Sequence, residues 1–171
     1  KINFYKRKKV FSSNSSSNDE FALDFVNNVE GDVLVQVLPT SPLISSVEIN
    51  DFVKYFQNNN LDTLISVSNH QIASIYKNKP INFSRLKKNP PSQKMTPIQT
   101  YSTVLMAWKI DNFKKNMKKY KSAYHGGSGK IGYYPVSRLA GIDIDEEEDF
   151  LLVEKIILSN KVKNSKPKYY K

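Results

Sequence analysis

Two aspartates near the carboxyl end of the chain have the spacing of a metal site. Asp143 and Asp145 alternate with Ile142 and Ile144 in the stretch GIDID. On an extended strand, this alternation places both carboxylates on one face, a few ångströms apart. Two carboxylates at that distance repel unless a divalent cation lies between them and a bound phosphate. The pattern therefore predicts that Asp143 and Asp145 hold a divalent cation.

The same stretch also fits a purely structural role. Six carboxylates lie between Asp143 and Asp149, and the apolar periodicity of a helix follows them. In this alternative, Asp145 caps the helix, and the positive end of the helix dipole favours the acidic residues behind it. This role explains Glu146 to Glu148 but not the alternation at Asp143, so both interpretations stay open.

Thr40 and Ser41 form a second group of polar side chains at a position suited to binding. They belong to PTSPL, which directly follows the apolar run VLVQVL. Such a run is typical of a buried parallel strand. Ligands of open α/β sheets bind beyond the carboxyl ends of strands, and a following helix N-terminus attracts anions. A plain proline turn with Ser45 as the helix cap is an equally good explanation.

The stretch HGGSGK, which begins at His125, looks like a phosphate-binding loop but lacks its essential positions. A Walker A loop needs a glycine where this chain has Tyr124 and a hydroxyl residue where it has Ile131. We therefore predict a turn between two strands, with a mobile lid as the alternative. His70 and His125 have no catalytic or metal-ligand spacing and are predicted to lie in loops or on the surface.

Apolar patterns and capping boxes predict the elements that must position these side chains. The early order of helix, strand, helix, strand predicts an α/β fold with a parallel sheet. The predicted helices cover 18–29, the stretch from 45 to about 58, 111–121 and 146–160. The predicted strands are 33–38, 63–68, 100–108, IGYYPV and LAGIDI, with a small hairpin inside 71–83 turning at 78–80.

Composition limits the classes of function. With 171 residues, the chain is long enough for one domain, predicted over 1–160, followed by a basic tail, 161–171, predicted to be disordered. The net charge of +10 comes from 23 lysines and only three arginines, which argues against a nucleic-acid partner. No apolar run suits a membrane span or a signal peptide, and there is no cysteine, so we expect no membrane partner and a cytoplasmic location.

Three stretches together resemble the acylneuraminate cytidylyltransferases, the CMP-sialic acid synthetases. VQVLPTSPL is similar to the family's strand and Q-P-T-S-P-L-R loop, and GIDIDEEEDFLLVEKI to its I-D-I-D-x-x-E-D-x-x-x-A-E pattern. KRKKVFSSNSSSNDEFAL is similar to the family's basic cluster, S-D-T-A-S-S motif and helix. The resemblance covers about residues 5–158. It implies a three-layer Rossmann-like nucleotidyltransferase fold with a mainly parallel sheet. It also implies transfer of CMP from CTP to a sialic-acid-like nonulosonic acid, with release of pyrophosphate.

The resemblance assigns catalytic and nucleotide-binding roles. It implies that Asp143 and Asp145 are the catalytic residues and hold Mg²⁺ against the triphosphate of CTP. It places Lys6, Arg7 and Ser17 where the family contacts the nucleotide.

The resemblance also implies where the sugar binds. Thr40 and Ser41 fall beside the family's sugar pocket, and Gln93 and Tyr101 fall, with a looser match, at further substrate contacts. The segment 71–130 is expected to build this pocket and to form the contact of a homodimer.

This chain departs from the family's pattern at several positions. Leu38 replaces the family's glutamine before P-T-S-P-L, Ile44 replaces its arginine after the loop, and Ser13-Asn14 replaces Asp-Thr. The family's opening strand and its I-P-A-R-G-G-S-K-G loop have no match here. We therefore expect these 171 residues to be the later part of a synthetase and, alone, to turn over CTP poorly. A nucleotidyltransferase for another sugar or nucleotide, and a non-catalytic α/β module that binds a sugar or a protein, stay open.

Overall fold

The computed structural model describes residues 2–13 and 15–161 of the chain. The helices are α1 (Asn18–Asn28), α2 (Ser46–Asn58), α3 (Ile110–Tyr120) and α4 (Glu147–Lys161). The strands are β1 (Val33–Val37), β2 (Thr63–His70), β3 (Ile75–Tyr76), β4 (Lys79–Pro80), β5 (Ile98–Lys109) and β6 (Ile131–Pro135). Short 3₁₀ turns cover Lys9–Ser12 and Ser92–Lys94. The predicted disordered tail covers 161–171. Lys161 is the last residue of α4, and the rest of the tail lies outside the described residues.

A four-stranded sheet in the order β1–β5–β2–β6 forms the centre of the molecule. β2 and β6 pair in parallel, and β5 pairs antiparallel with both β1 and β2. Three of the four strands therefore share one direction, which confirms the α/β fold with a mainly parallel sheet. β5 is the exception because the chain leaves the carboxyl end of β2, makes the excursion 71–97, and re-enters the sheet from that same end.

Helices cover both faces of the sheet and so make three layers. On one face, α1 and α3 pack around the buried Trp108. On the other face, Phe52 and Phe56 of α2 pack on Leu64 and Leu105 of the sheet. None of the helices in the described part of the chain is long and apolar enough to cross a membrane.

Local sequence signals explain where α1 and α2 begin. Ser17 with Glu20, and Ser45 with Glu48, each form a reciprocal capping box as the sequence predicts.

The small hairpin is also present, but its turn is Lys77–Asn78 and not 78–80. Both turn residues have left-handed backbones, with φ of +47° and +64°, as a two-residue hairpin turn requires.

The prediction of a strand in LAGIDI is wrong. The segment turns at its start, where Gly141 N–H donates to Ser137 and Ile142 N–H donates to Leu139. These local hydrogen bonds use backbone groups that a strand would give to its neighbour. Further along the segment, Ile144 donates its backbone N–H to the carbonyl oxygen of Thr40 at 2.8 Å.

Helix α4 is present, but its predicted apolar face is only partly covered. Val153 is 2% exposed, whereas Phe150 is 54% and Ile157 is 39% exposed. Ile156 is half-buried. The reason is that, among the described residues, the cavity beside α4 is lined from outside the helix only by Pro39, Pro42 and Ile144.

Candidate functional site

The PTSPL loop and the aspartate segment meet beyond the carboxyl end of β1. Ser41 Oγ donates to Asp143 Oδ1 at 3.4 Å, although the two residues are 102 positions apart. Ile144, next to Asp143, donates its backbone N–H to Thr40. Ser41 is only 1% exposed, so its hydroxyl is directed into the structure at this contact. The fold thus brings together the two groups of residues that the sequence singles out.

Asp145 differs from Asp143 in its surroundings. Its carboxylate is exposed, whereas Asp143 is half-buried beside Ser41. The carboxylate that caps the start of α4 is that of Asp149, whose Oδ2 accepts from the N–H groups of Asp145 and Glu146 at 3.2 and 3.1 Å. The suggestion that Asp145 caps the last helix is therefore wrong, and so is the strand that was expected to align the two aspartates.

Asp143 and Asp145 are the two carboxylates that the sequence suggests for magnesium. Among the described residues, no group of three or more histidine, cysteine, aspartate or glutamate side chains converges on one point. Magnesium often binds through one or two carboxylates plus substrate phosphates, and the side chains of Asp143 and Asp145 are donors of that chemical type. They do not form a cage that would hold the ion by protein atoms alone.

An aromatic group lies on the same side of the molecule and includes the predicted Tyr101. The Tyr101 ring centre is 5.5 Å from that of His125 and 6.2 Å from that of Tyr133. His125 in turn packs edge-on against Tyr124 at 5.3 Å. Burial, and then the negative charges of Asp19 and Asp143, raise the pKa of Tyr124. Tyr124 therefore links the aromatic group electrostatically to Asp143.

The register of the sheet explains why Tyr101 and Tyr133 meet. Tyr101 on β5 pairs with Val67 of β2, and Tyr133 on β6 pairs with Ile65 of β2. Cross-strand partners point to the same face, and so do residues two apart in a strand. Burial, followed by a hydrogen bond with Tyr133, raises the pKa of Tyr101. Sequence reasoning missed Tyr133 because strand pairing is not visible in the sequence.

The HGGSGK stretch is held by a buried amide and connects helix α3 to β6, so the prediction of a turn between two strands is wrong. The Asn116 side chain, 1% exposed, donates to the carbonyls of Gly126 and Ser128 and accepts from the N–H and hydroxyl of Ser128. Gly127 has φ of +50°, and a Cβ there would lie 2.6 Å from Asn116. The stretch is thus a turn tied to α3 through Asn116, with His125 at its start, and sequence reasoning found a loop here but not the support from Asn116.

The residues expected to bind the nucleotide lie around the start of α1. Arg7 stacks its guanidinium over the Phe21 ring at 5.5 Å. It also lines a cavity of about 480 Å³ between α1 and β1, which reaches Leu38 and Pro39. Lys6 is exposed beside it. Ser17 is engaged in capping, since its Oγ accepts from the N–H of Glu20 at 3.3 Å.

Gln93, like Lys6 and Ser17, is a predicted residue that no described contact joins to Asp143 or Ser41. It is exposed in the second 3₁₀ turn, where its carbonyl accepts from the Gln71 side chain at 2.9 Å. No hydrogen bond among the described residues joins it to Asp143, Ser41 or Tyr101.

The N-terminus of α2 is filled by its own chain. Glu48 accepts from the N–H and Oγ of Ser45, at 3.2 and 2.8 Å, and from the N–H of Ser137 at 3.0 Å. Burial acts to raise the pKa of Glu48, but these hydrogen bonds outweigh it and lower the pKa. Glu48 thus completes the capping box of α2 and ties the start of this helix to the segment after β6.

Solved structures with the same fold include two enzymes of cytidylyl chemistry, although no protein-family model and no curated protein sequence matches the chain. One is the 4-diphosphocytidyl-2C-methyl-D-erythritol synthase of Anaerococcus prevotii, with a TM-score of 0.59 and 9% identity, covering 84% of this chain and 68% of the other. The second is a CMP:2-keto-3-deoxy-manno-octonic acid synthetase complexed with CTP, with a TM-score of 0.60 and 10% identity. This similarity covers 86% of the present chain and 70% of the synthetase. At such low identity the similarity establishes the fold, and the chain therefore has the Rossmann-like nucleotidyltransferase fold.

Proposed function

We propose that this chain belongs to a cytidylyltransferase that transfers CMP from CTP to a hydroxyl of a sialic-acid-like nonulosonic acid and releases pyrophosphate. The contact between Ser41 and Asp143 carries this proposal. It joins the two segments that resemble the CMP-sialic acid synthetases, and it lies beyond the carboxyl end of a strand, where such folds bind ligands. The fold shared with two cytidylyl-transfer enzymes supports the same class of reaction.

In this proposal, Asp143 and Asp145 are the acidic ligands for magnesium arriving with CTP. When bound, the ion supplies Lewis-acid polarisation of the α-phosphate and neutralises charge on the triphosphate. Ser41 holds the Asp143 carboxylate in place from its buried position. Arg7, with Lys6 and Ser17 close by, offers positive charge and hydrogen bonds to the nucleotide along the cavity that leads to Pro39.

The acceptor sugar is proposed to bind between Thr40 and the aromatic group. Tyr101 and its neighbours offer flat apolar faces for the carbon skeleton of a sugar, and Thr40 offers a hydroxyl. Leu38 provides no amide at the position where the CMP-sialic acid synthetases have glutamine. This difference favours an acceptor with fewer polar groups at that end of the site. Gln93 would need the excursion 71–97 to move before it could contact such a sugar.

The direct test is magnesium-dependent release of pyrophosphate from CTP. It uses the protein encoded by the complete reading frame that contains these residues, with N-acetylneuraminate and 2-keto-3-deoxy-manno-octonate as acceptors. We expect release that depends on one of these sugars and that falls about 100-fold or more in Asp143→Asn. Glu148→Gln is the matched control, because Glu148 is an exposed carboxylate in the first turn of α4. No sugar-dependent release by the folded protein would refute the proposal.

The alternative is a non-catalytic α/β module that binds a sugar or a protein. The absence of a third acidic or imidazole ligand near Asp143, among the described residues, favours this candidate. Calorimetric titration separates the two functions. Binding of CTP that requires magnesium and is lost in Asp143→Asn supports the transferase, whereas binding of a sugar without any response to CTP and magnesium supports the module.

A further inference from the structure

The carboxylate of Asp19 connects the first turn of α1 with the segment that follows α3. Its Oδ1 accepts from the backbone N–H groups of Ala123 and Tyr124, at 2.9 and 2.7 Å, and its Oδ2 accepts from Ser122 Oγ at 3.2 Å. These partners are 103 to 105 positions away in the chain, and Asp19 is half-buried. Hydrogen bonds to an ionised carboxylate are stronger than those between neutral groups. One side chain of α1 therefore holds three consecutive residues of this segment.

The segment held by Asp19 leads directly into the aromatic group beside the candidate site. Tyr124 packs edge-on against His125, whose ring centre is 5.5 Å from that of Tyr101. The carbonyl oxygen of Tyr124 accepts from the indole N–H of the buried Trp108 at 3.4 Å. The backbone of Tyr124 is thus fixed from two sides, by α1 at its N–H and by β5 at its carbonyl.

A second carboxylate of α1, that of Asp24, holds the basic segment, residues 5–8, in a similar way. Tyr5 donates its hydroxyl to Asp24 Oδ2 at 2.6 Å, and Lys8 donates its ammonium group to Oδ1. The Asp24 side chain is only 8% exposed. The two donors lie on either side of Lys6 and Arg7 in the chain, so they fix the stretch that carries the proposed nucleotide contacts.

We propose that Asp19 is a positioning residue for the acceptor sugar, which acts through the backbone of Tyr124 and places the aromatic group in the site. This inference rests on the proposed function, in which the sugar binds along that group. Asp24 is the counterpart on the nucleotide side, because its partners belong to the basic segment. Two carboxylates of one helix therefore act on different substrates. A merely structural role would instead weaken the binding of both substrates together.

Steady-state release of pyrophosphate tests this division, with CTP and the sugar varied in turn, in the protein encoded by the complete reading frame. We expect Asp19→Ala to raise KM for the sugar about tenfold and KM for CTP by less than about twofold, with little change in kcat, because contacts that bind the ground state and the transition state alike are weakened. Asp24→Ala should show the opposite pattern. Asp51→Ala, at an exposed carboxylate of α2, is the control and should change neither constant.

Two further substitutions at Asp19 separate its hydrogen bonds from its charge. Asp19→Asn should keep KM for the sugar close to normal, because its Oδ1 still accepts from both N–H groups and its amide can donate to Ser122. Asp19→Glu keeps the charge but displaces the acceptor atoms by one methylene group. It should raise KM for the sugar by a smaller factor than Asp19→Ala, and it provides the test if Asp19→Ala does not fold, as judged by circular dichroism.

Hydrogen exchange of single amides tests the hold of Asp19 without catalysis. The N–H groups of Ala123 and Tyr124 should exchange about tenfold faster or more in Asp19→Ala and at a nearly normal rate in Asp19→Asn. Unchanged exchange in Asp19→Ala overturns the proposal, and so does an equal rise of KM for CTP and for the sugar. Failure of the proposed function is recognised separately, because the unmodified protein then releases no pyrophosphate with either sugar. That result overturns the acceptor role as well, whatever the exchange rates are.

Discussion

At the scale of single residues, Asn116 shows how one buried side chain determines a loop. Its amide makes four hydrogen bonds to Gly126 and Ser128, so every polar atom of the side chain is used. The turn before β6 therefore depends on a residue of α3. It positions His125 within the aromatic group next to the candidate site.

Asn116→Ala should lower the free energy of unfolding by about 2–4 kcal/mol, since it removes four bonds and leaves buried partners unsatisfied. Urea unfolding followed by circular dichroism measures the change. Ser128→Ala, which removes only the hydroxyl bond at 2.8 Å, should cost about 0.5–1.5 kcal/mol. Equal losses in the two variants would contradict the central role of Asn116.

Thr103 is a second residue with a measurable local effect. Its φ of +54° is unfavourable for a β-branched side chain, and it lies where the pairing of β2 with β5 shifts register. Ser66 compensates there, because its Oγ accepts from the N–H of Leu105 and from Ser102 Oγ. The irregularity lies close to the candidate site, because the carbonyl oxygen of Val104 accepts a hydrogen bond from the N–H of Leu38.

Thr103→Gly should raise the free energy of unfolding by about 1 kcal/mol, because glycine adopts positive φ without steric cost. Thermal unfolding measures the difference. Thr100→Gly, in the same strand but without a positive φ, is the control and should be destabilising. A loss of stability in Thr103→Gly would show that the left-handed backbone is not strained.

At the scale of elements, Glu48 joins three parts of the chain. It caps α2 through Ser45 and fixes Ser137, which follows β6. Its lowered pKa means that the carboxylate stabilises the fold at pH values above its usual 4.5 and that this contribution is lost as the pH falls through the lower folded value.

Glu48→Gln should therefore cost about 1–2 kcal/mol at pH 7, and the difference from the unmodified protein should shrink as the pH is lowered towards 3. Urea unfolding at several pH values provides the measurement. Glu30→Gln, at an exposed loop position, should change stability little at pH 7. A cost of Glu48→Gln that grows on acidification would contradict the lowered pKa.

At the scale of the whole molecule, one sheet supports both apolar cores. The core beneath α1 and α3 contains Trp108, and the core beneath α2 contains Leu105, in the same strand. Loss of packing on one face would therefore remove support from a strand that also carries the other core. We therefore expect a single cooperative unfolding transition.

Trp108 is the only tryptophan, is 1% exposed and packs edge-on against Phe113 at 5.6 Å. Its fluorescence should shift to longer wavelength on unfolding, with the same urea midpoint as the circular dichroism signal. A fluorescence midpoint clearly below that of circular dichroism would mean that the α1 and α3 side opens separately.

Local sequence signals by themselves determined most of the elements. Ser17 with Glu20 and Ser45 with Glu48 predicted where two helices begin, because capping involves residues only three positions apart. Apolar runs predicted β1, β2, β5 and β6 to within a few residues. The order of these elements predicted the α/β class, since short alternation of helix and strand leaves few other arrangements.

The tertiary structure decided what depends on contacts between distant segments. Asp143 meets Ser41 across 102 positions, and Tyr133 meets Tyr101 only through their common neighbour β2. The failed prediction of a strand at LAGIDI has the same origin, because alternation cannot show whether a neighbouring strand is free to pair. The sequence could therefore suggest residues for a site, but strand order and side-chain packing decided which of them lie together.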